Sequence, residues 1–227
     1  KILEKWCKLI QLQEDIIEKL YTKKEYIFQK ILEPKEDWKE ITLKDILKER
    51  KEYAKKYDKY KHVTLSIDGI YDKGKQYDRD FLVKDKEKNY KITHLNDLCY
   101  NPANLKFGVI CVNRYGDAIF SPIYVTFEID KKYNPDIIEA ILSSKSFINK
   151  IRKYEEGTLY ERQAVKPSDF LKGKIKLPVD KEELEKISKI IQLFNEEIKM
   201  QQDKLTLIKQ QQKTMIQLLT LGIIRVI

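Results

Sequence analysis

The sequence predicts an α+β protein: a compact mixed α/β domain flanked by two long helices that form an antiparallel coiled-coil stalk. Three observations carry the prediction. Both ends of the chain repeat apolar residues at alternating steps of three and four, the middle is broken into short β-branched and aromatic runs, and Gly and Pro are sparse, 7 and 6 in 227 residues. The length suffices for one ordinary domain with a core of its own plus extra helices.

The first element, residues 1–33, is a helix that Pro34 closes, with the seam Leu3, Trp6, Ile10, Gln13, Ile17, Leu20, Lys24, Ile27 and Ile31. The last, residues 179–221, runs without Gly or Pro from Asp180 to Thr220, just after Pro178. Its seam is Leu184, Ile187, Ile191, Phe194, Ile198, Gln201, Leu205, Ile208, Gln212, Met215 and Leu219. So narrow a stripe is a coiled-coil seam rather than the broad face of a helix lying on a globular core, and it extends roughly 60 Å at 1.5 Å per residue.

The two seams are copies at an offset of 188 residues. Seven seam pairs are apolar in both copies, while Gln13/Gln201 and Lys24/Gln212 are polar in both, and off the seam Asp15 matches Asp203 and Gln29 matches Gln217. Polar interruptions kept in register mark an internal repeat. Because one helix enters the middle of the chain and the other leaves it, the two can lie antiparallel with the domain at one end of the stalk. Leu184 and Ile187 map before residue 1, and the chain opens on Lys rather than Met, so it is expected to continue upstream or to have been trimmed. Residues 222–227 form an apolar tail.

Between the helices, residues 34–178 change texture. Residues 43–60, LKDILKERKEYAKKYDKY, predict a short polar helix, and residues 134–154 again carry helical periodicity. HVTLSIDGIY, FLVKD, YKITHL, FGVICVN, DAIFS and IYVTFEI read as strands.

The chain carries 45 Lys and Arg against 36 Asp and Glu, a net charge of +9. Residues 35–178 hold 30 and 23 of these, so +7 of the excess sits in the middle, as a footprint for nucleic acid would require. Cys7, Cys99 and Cys111 lack metal-ligand spacing and predict free thiols in a reducing cytoplasm. No signal peptide or stretch of membrane length is present, which predicts a cytoplasmic protein without membrane contact.

Two stretches bear on catalysis. YNPANLKFG, residues 100–108, contains part of the Asn-Pro-Pro-Tyr loop with which amino-methyltransferases hold a flipped base. Ala103 and Asn104 replace the second Pro and the aromatic, and no Gly-rich cofactor turn accompanies the motif. Asp130-Lys131-Lys132 resembles half of a metal-dependent nuclease site, with Asp117 the nearest second carboxylate, but a solvated charge run after a strand explains it as well. His62 and His94 show no acid or nucleophile at useful spacing and read as surface or packing residues. No metal site and no catalytic residue is assigned.

Trp38 followed by ITLKDIL, the strand LSIDGIY, the block YNPANLKFGVICVNRYGDAIFSPIYVTFEI and the exit KIKLPVDKEELEKISKII resemble, in order and spacing, the DNA specificity subunit of type I restriction-modification systems. In that family, target-recognition domains alternate with conserved helical regions that pack antiparallel. The resemblance implies a non-catalytic subunit that reads one half of a bipartite site in double-stranded DNA. It also implies modification subunits docked on the helices, which supply S-adenosylmethionine chemistry on adenine, a restriction and translocation subunit using Mg and ATP, and a second specificity half or a second copy. No cofactor is expected on this chain. The Glu-Gln dipeptide frequent at the family's exit junction is here Glu182-Glu183.

Base edges are read by Arg and Lys on guanine and by Asn and Gln on adenine. Loop placement nominates Lys73, Lys75, Gln76, Arg79, Asn113, Arg114, Arg162 and Gln163, with Tyr71, Tyr77, Tyr115 and Tyr160 as phosphate donors. The seam residues expected to pair are Trp6, Ile10, Ile17, Leu20 and Ile27 with Ile191, Phe194, Ile198, Leu205, Ile208 and Met215. The alternative from another class is a coiled-coil assembly protein whose basic domain binds nucleic acid without sequence preference.

Overall fold

The computed structural model describes residues 2–54, 60–67, 69–72, 89–156 and 163–224. The chain opens with α1 (Ile2–Ile31), β1 (Lys39–Thr42), β2 (Leu47–Glu49), β3 (Lys61–Ser66) and β4 (Gly69–Asp72). Then come β5 (Lys91–Thr93), β6 (Leu98–Tyr100), β7 (Ile110–Val112), β8 (Ala118–Phe120) and β9 (Val125–Ile129). It ends with α2 (Pro135–Leu142), α3 (Lys145–Ile151), α4 (Pro167–Phe170), β10 (Lys174–Leu177) and α5 (Lys181–Thr220). Two units result: Lys1–Glu33 with Lys189–Ile227, and Pro34–Ser188.

In the helical unit, α1 and α5 lie antiparallel, as their partners show. Cys7 accepts from Gln212, Glu14 pairs with Lys209 at 2.7 Å, Tyr21 accepts from Gln202 at 3.0 Å and Lys24 reaches Asn195 at 2.8 Å. Phe28 meets Phe194 edge-on, with ring centroids 5.9 Å apart. Gln13, buried, donates to the side chain of Gln201 at 2.7 Å, its own mate in the repeat. The other contacts fall into mates as well: adding 188 to one partner and subtracting it from the other turns Lys24–Asn195 into Gln212–Cys7, and Tyr21–Gln202 into Lys209–Glu14. The sequence repeat is therefore an approximate two-fold axis that passes by Gln13 and Gln201.

The sheet unit holds three sheets. β1 pairs with β10; β2-β9-β6-β7 form an antiparallel sheet; β4-β3-β8-β5 form a mixed one in which β3 and β8 run parallel. The two four-stranded sheets share a cluster of Val63, Leu65, Cys99, Cys111, Ala118 and Phe120. A second buried group stacks Tyr100 on Phe170 (4.7 Å, 18°) and Phe127 on Phe170 (5.6 Å, 17°), with Phe147 edge-on to Phe170. The Asp180 carboxylate accepts from the amides of Glu182 and Glu183 and so caps α5, while Trp38 and Lys35 both reach Glu183.

Over 43–54 the polar helix expected at 43–60 does not form; of the rest only residue 60 is described. Leu43–Asp45 is one 3-10 turn, and the backbone then extends because other segments take its hydrogen bonds: Leu43 N donates to Gly173 O, Arg50 N to Thr126 O and Ala54 N to Tyr90 O. The apolar positions Leu43, Ile46 and Leu47 that suggested a helix are buried all the same, Leu43 and Ile46 at the 3-10 turn and Leu47 in a strand paired with β9. The periodic stretch 134–154 divides into α2 and α3, because the Ser144 hydroxyl accepts from Phe147 N and starts a new helix. FLVKD lies outside the described residues.

Candidate nucleic-acid interface

The loops that close β6–β7 and β7–β8 are built by asparagines. Tyr100 sits in the core, its hydroxyl donating to Val165 O at 3.0 Å. Behind it Asn101 Oδ1 accepts from Ala103 N, Asn104 N donates to Asn101 O, and Gly108 reverses the chain at φ +82, a conformation that favours glycine. YNPAN thus orders the loop that follows it. Beyond it Phe107 is 63% exposed, with the Lys106 ammonium 5.3 Å from its ring centroid, and the Ile67 side chain approaches Gly108.

The β7–β8 turn depends on Asn113. Its side chain, fully buried, has two N–H groups shared among Thr93 Oγ1 (3.0 Å), His94 O (2.9 Å) and Gly116 O (2.9 Å), and its Oδ1 accepts from the amides of Tyr115 (2.8 Å) and Gly116 (3.1 Å). Asn113 was nominated as a base reader. With its amide consumed by the turn it positions its neighbours instead. Arg114, half exposed, donates to Asn96 Oδ1 at 2.5 Å and to Asp136, with Glu139 at 3.7 Å. Two carboxylates already offset its charge, and a phosphate or guanine must compete with them. Tyr115 packs against the cluster between the sheets, and its hydroxyl contacts Asp72 at 3.3 Å. Burial and the Asp72 carboxylate both push that phenol up.

Beneath the turn lies a charged network that the sequence did not reveal. Arg50 holds Asp97 with two hydrogen bonds, Nε at 2.8 Å and Nη2 at 3.0 Å, and donates to Glu52 through Nη1. His94 bridges Asp117 (Nδ1, 2.9 Å) and Glu52 (Nε2, 3.2 Å). Burial pulls the imidazole down, but the hydrogen bonds to Asp117 and Glu52 outweigh burial and Arg50, and its pKa lies above the ordinary histidine value. The acids that partner His94, not visible at any useful spacing in the sequence, are thus brought to it by the fold. Asp117 serves His94, and Asp130 accepts from Lys132 N, so the two carboxylates of the nuclease reading have separate partners. Among the described residues no group of three or more His, Cys, Asp or Glu is placed to hold a metal ion.

Gln163 is exposed. Lys73, Lys75, Gln76, Arg79 and Arg162, with Tyr77 and Tyr160, lie outside the described residues. Sequence reasoning did not single out Asn96, at φ 69, or the exposed Phe107 with its neighbour Lys106. The signal for the second was KFG directly before a strand. The seam residues keep low exposure in their own unit: Ile191, Ile198 and Ile208 are buried, and Trp6, Ile10, Ile17, Leu20, Ile27, Phe194, Leu205 and Met215 are partly so.

No described helix is long and apolar enough to cross a membrane. No protein-family model matches the sequence, and no curated protein gives a significant match. Solved structures do match. The HsdS subunit from Thermoanaerobacter tengcongensis aligns over 96% of this chain and 55% of its own, with TM-score 0.51 and 9% identity. The type I restriction-modification system S subunit from M. genitalium aligns over 93% and 55%, with TM-score 0.52 and 15% identity. A chain from a study of complex assembly and conformational transition of the type I R-M system aligns over 96% and 55%, with TM-score 0.50 and 10% identity. Over almost its whole length this chain has the fold of type I restriction-modification S subunits, and it spans about half the length of those it matches.

Proposed function

We propose that the chain is the DNA specificity component of a type I restriction-modification complex, reading one half of a bipartite target and docking modification subunits through its helices. The fold likeness over 93% or more of the chain carries the reading. The +7 excess of residues 35–178 supports a polyanionic ligand for the domain. The helix pair supports the docking role: its approximate two-fold offers two related faces, and the repeat mates Leu12 and Met200 both stand exposed. On α5 an apolar line of Leu193, Met200 and Leu207 at seven-residue spacing faces outward, rimmed by Glu196, Lys199, Asp203 and Lys204.

In this role the chain performs no chemistry. Modification subunits supply S-adenosylmethionine and methyl transfer to adenine, a restriction subunit supplies Mg and ATP, and a second specificity half or a second copy completes the target. Reconstitution tests this. Mixed with its modification subunits and S-adenosylmethionine, the chain should direct adenine methylation to a single sequence, and either component alone should give none. Methylation scattered without sequence preference would favour the alternative of a coiled-coil assembly protein with a non-specific basic domain.

A further inference from the structure

Two cysteines are paired across neighbouring strands of the sheet unit, the Cys99 Sγ lying 3.3 Å from Thr93 Oγ1 and 3.7 Å from Asp97 O. Cys99 in β6 and Cys111 in β7 are direct register partners on antiparallel strands, so their side chains leave the same face, and both lie in one buried cluster. The flanking hydrogen bonds fix the type of pair. Asn101 N donates to Val109 O at 3.1 Å and Asn113 N to Asp97 O at 2.7 Å, two residues to either side of Cys99 and Cys111. Hydrogen-bonded pairs recur at every second residue of an antiparallel ladder, with Cα atoms about 5.5 Å apart. Disulfides span Cα separations of about 4.4 to 6.8 Å, so the backbone is already in place. The Cβ atoms, about 5 Å apart in such pairs, need to approach by roughly 1 Å.

We propose that Cys99 and Cys111 are a redox modification site, closing into a reversible cross-strand disulfide when the chain meets a low-molecular-weight disulfide. The Cys111 thiolate attacks one sulfur of the oxidant, forming a mixed disulfide and releasing a thiolate. The Cys99 thiolate then attacks Cys111 Sγ and expels the second thiolate. Two protein thiols are oxidised, one small disulfide is reduced to two thiols, and these take up the two protons.

Cys111 reacts first because β7 is an edge strand and Cys111 is 8% exposed against 0% for Cys99. Burial pushes Cys99 up to about 12 and Cys111 well above its ordinary value, so exchange is slow and proceeds through opening of the edge strand. Drawing the Cβ atoms together favours reduction, the property of labile rather than structural disulfides. The bond would pin strands that carry the YNPANLKFG loop at one end and the Asn113–Asp117 turn at the other.

The test uses the full chain, incubated with oxidised glutathione, acid-quenched and digested with trypsin. Cleavage after Lys91, Lys106 and Arg114 puts Cys99 in peptide 92–106 and Cys111 in peptide 107–114, so the bond is read as a linked pair, distinct from any adduct at the exposed Cys7. The linked pair should become the major form of both peptides and disappear with dithiothreitol. In Cys111→Ser, which keeps the strand, Cys99 should remain a free thiol. Recovery of both wild-type cysteines as free thiols or separate glutathione adducts after prolonged incubation overturns the proposal. So does Cys99 reacting in Cys111→Ser as fast as the wild-type thiols disappear, since opening is then global.

Discussion

The helix pair and the sheet unit bury their residues on different terms. In α1 only Gln13 is buried, and in α5 beyond Ser188 only Ile191, Ile198 and Ile208 are. Two helices can cover only one stripe on each other, so most seam side chains, Trp6, Ile10, Phe194 and Leu205 among them, keep an exposed flank. The sheet unit instead encloses whole rings: Tyr100, Phe120, Phe127 and Phe170 show essentially no surface. A shallow seam gains stability through length and repetition, whereas a deep core concentrates it in a few residues. Truncation should separate the two.

Phe170→Ala removes a ring that touches Tyr100, Phe127 and Phe147 and should cost about 3 to 5 kcal/mol. Phe194→Ala removes a half-buried ring with one aromatic neighbour, Phe28, and should cost about 2 kcal/mol, since less area is lost and the site can collapse. Urea unfolding of both variants checks the order. Equal losses would mean that the helix pair holds a core as concentrated as that of the sheets.

The same contrast explains what could be read beforehand. A seam of period 3.5 sustained over 40 residues is visible in any sequence, and the polar mates Gln13 and Gln201 were visible as a repeat before they were seen to touch. Strands of three residues such as β5, β6, β7 and β8 are too short to show a period. Composition alone points to β5, β7 and β8, whereas β6, Leu-Cys-Tyr, is not among the expected strands, and the helix expected at 43–60 fails over 43–54 because Leu43, Ile46 and Leu47 can be buried without one. The turn residues were harder still. Asn113 is legible as a polar residue in a turn between strands, but nothing local says whether its amide faces solvent or the five groups it meets here. The Arg50–Asp97 and His94–Asp117–Glu52 contacts join residues 23 to 47 positions apart that no spacing rule connects.

The polar pair on the approximate axis offers a finer comparison. Gln13→Ala leaves Gln201 without its donor and should cost about 1 kcal/mol, as should Gln201→Ala, with strong coupling in a double-mutant cycle because the two share one contact. Replacing both with Leu should restore or raise stability while loosening register, since an apolar seam no longer distinguishes one alignment from the next. Thermal unfolding checks the first part and inter-helix crosslinking the second. Additive losses would mean that the glutamines act separately.

The smallest effect expected belongs to the sheet unit alone. Protonated His94 is held by two carboxylates and its pKa is raised, so its contribution is fully present below the unfolded value of about 6.5 and is lost as pH climbs through the higher folded value. The difference in melting temperature between wild type and His94→Gln should therefore shrink as pH rises from about 6 toward 8. A difference that stays constant across that range would show that His94 matters only for packing.

The central claim, that this fold selects a DNA sequence, is tested most directly by selecting from a pool of random duplexes with the chain in complex with modification subunits. Binding of the winners is then compared with random duplex at several salt concentrations. The account predicts one enriched sequence, bound at least about a thousandfold more tightly than random DNA, with both affinities falling as salt rises. A pool that emerges unenriched, with winners and random duplexes bound equally at every salt concentration, would contradict it.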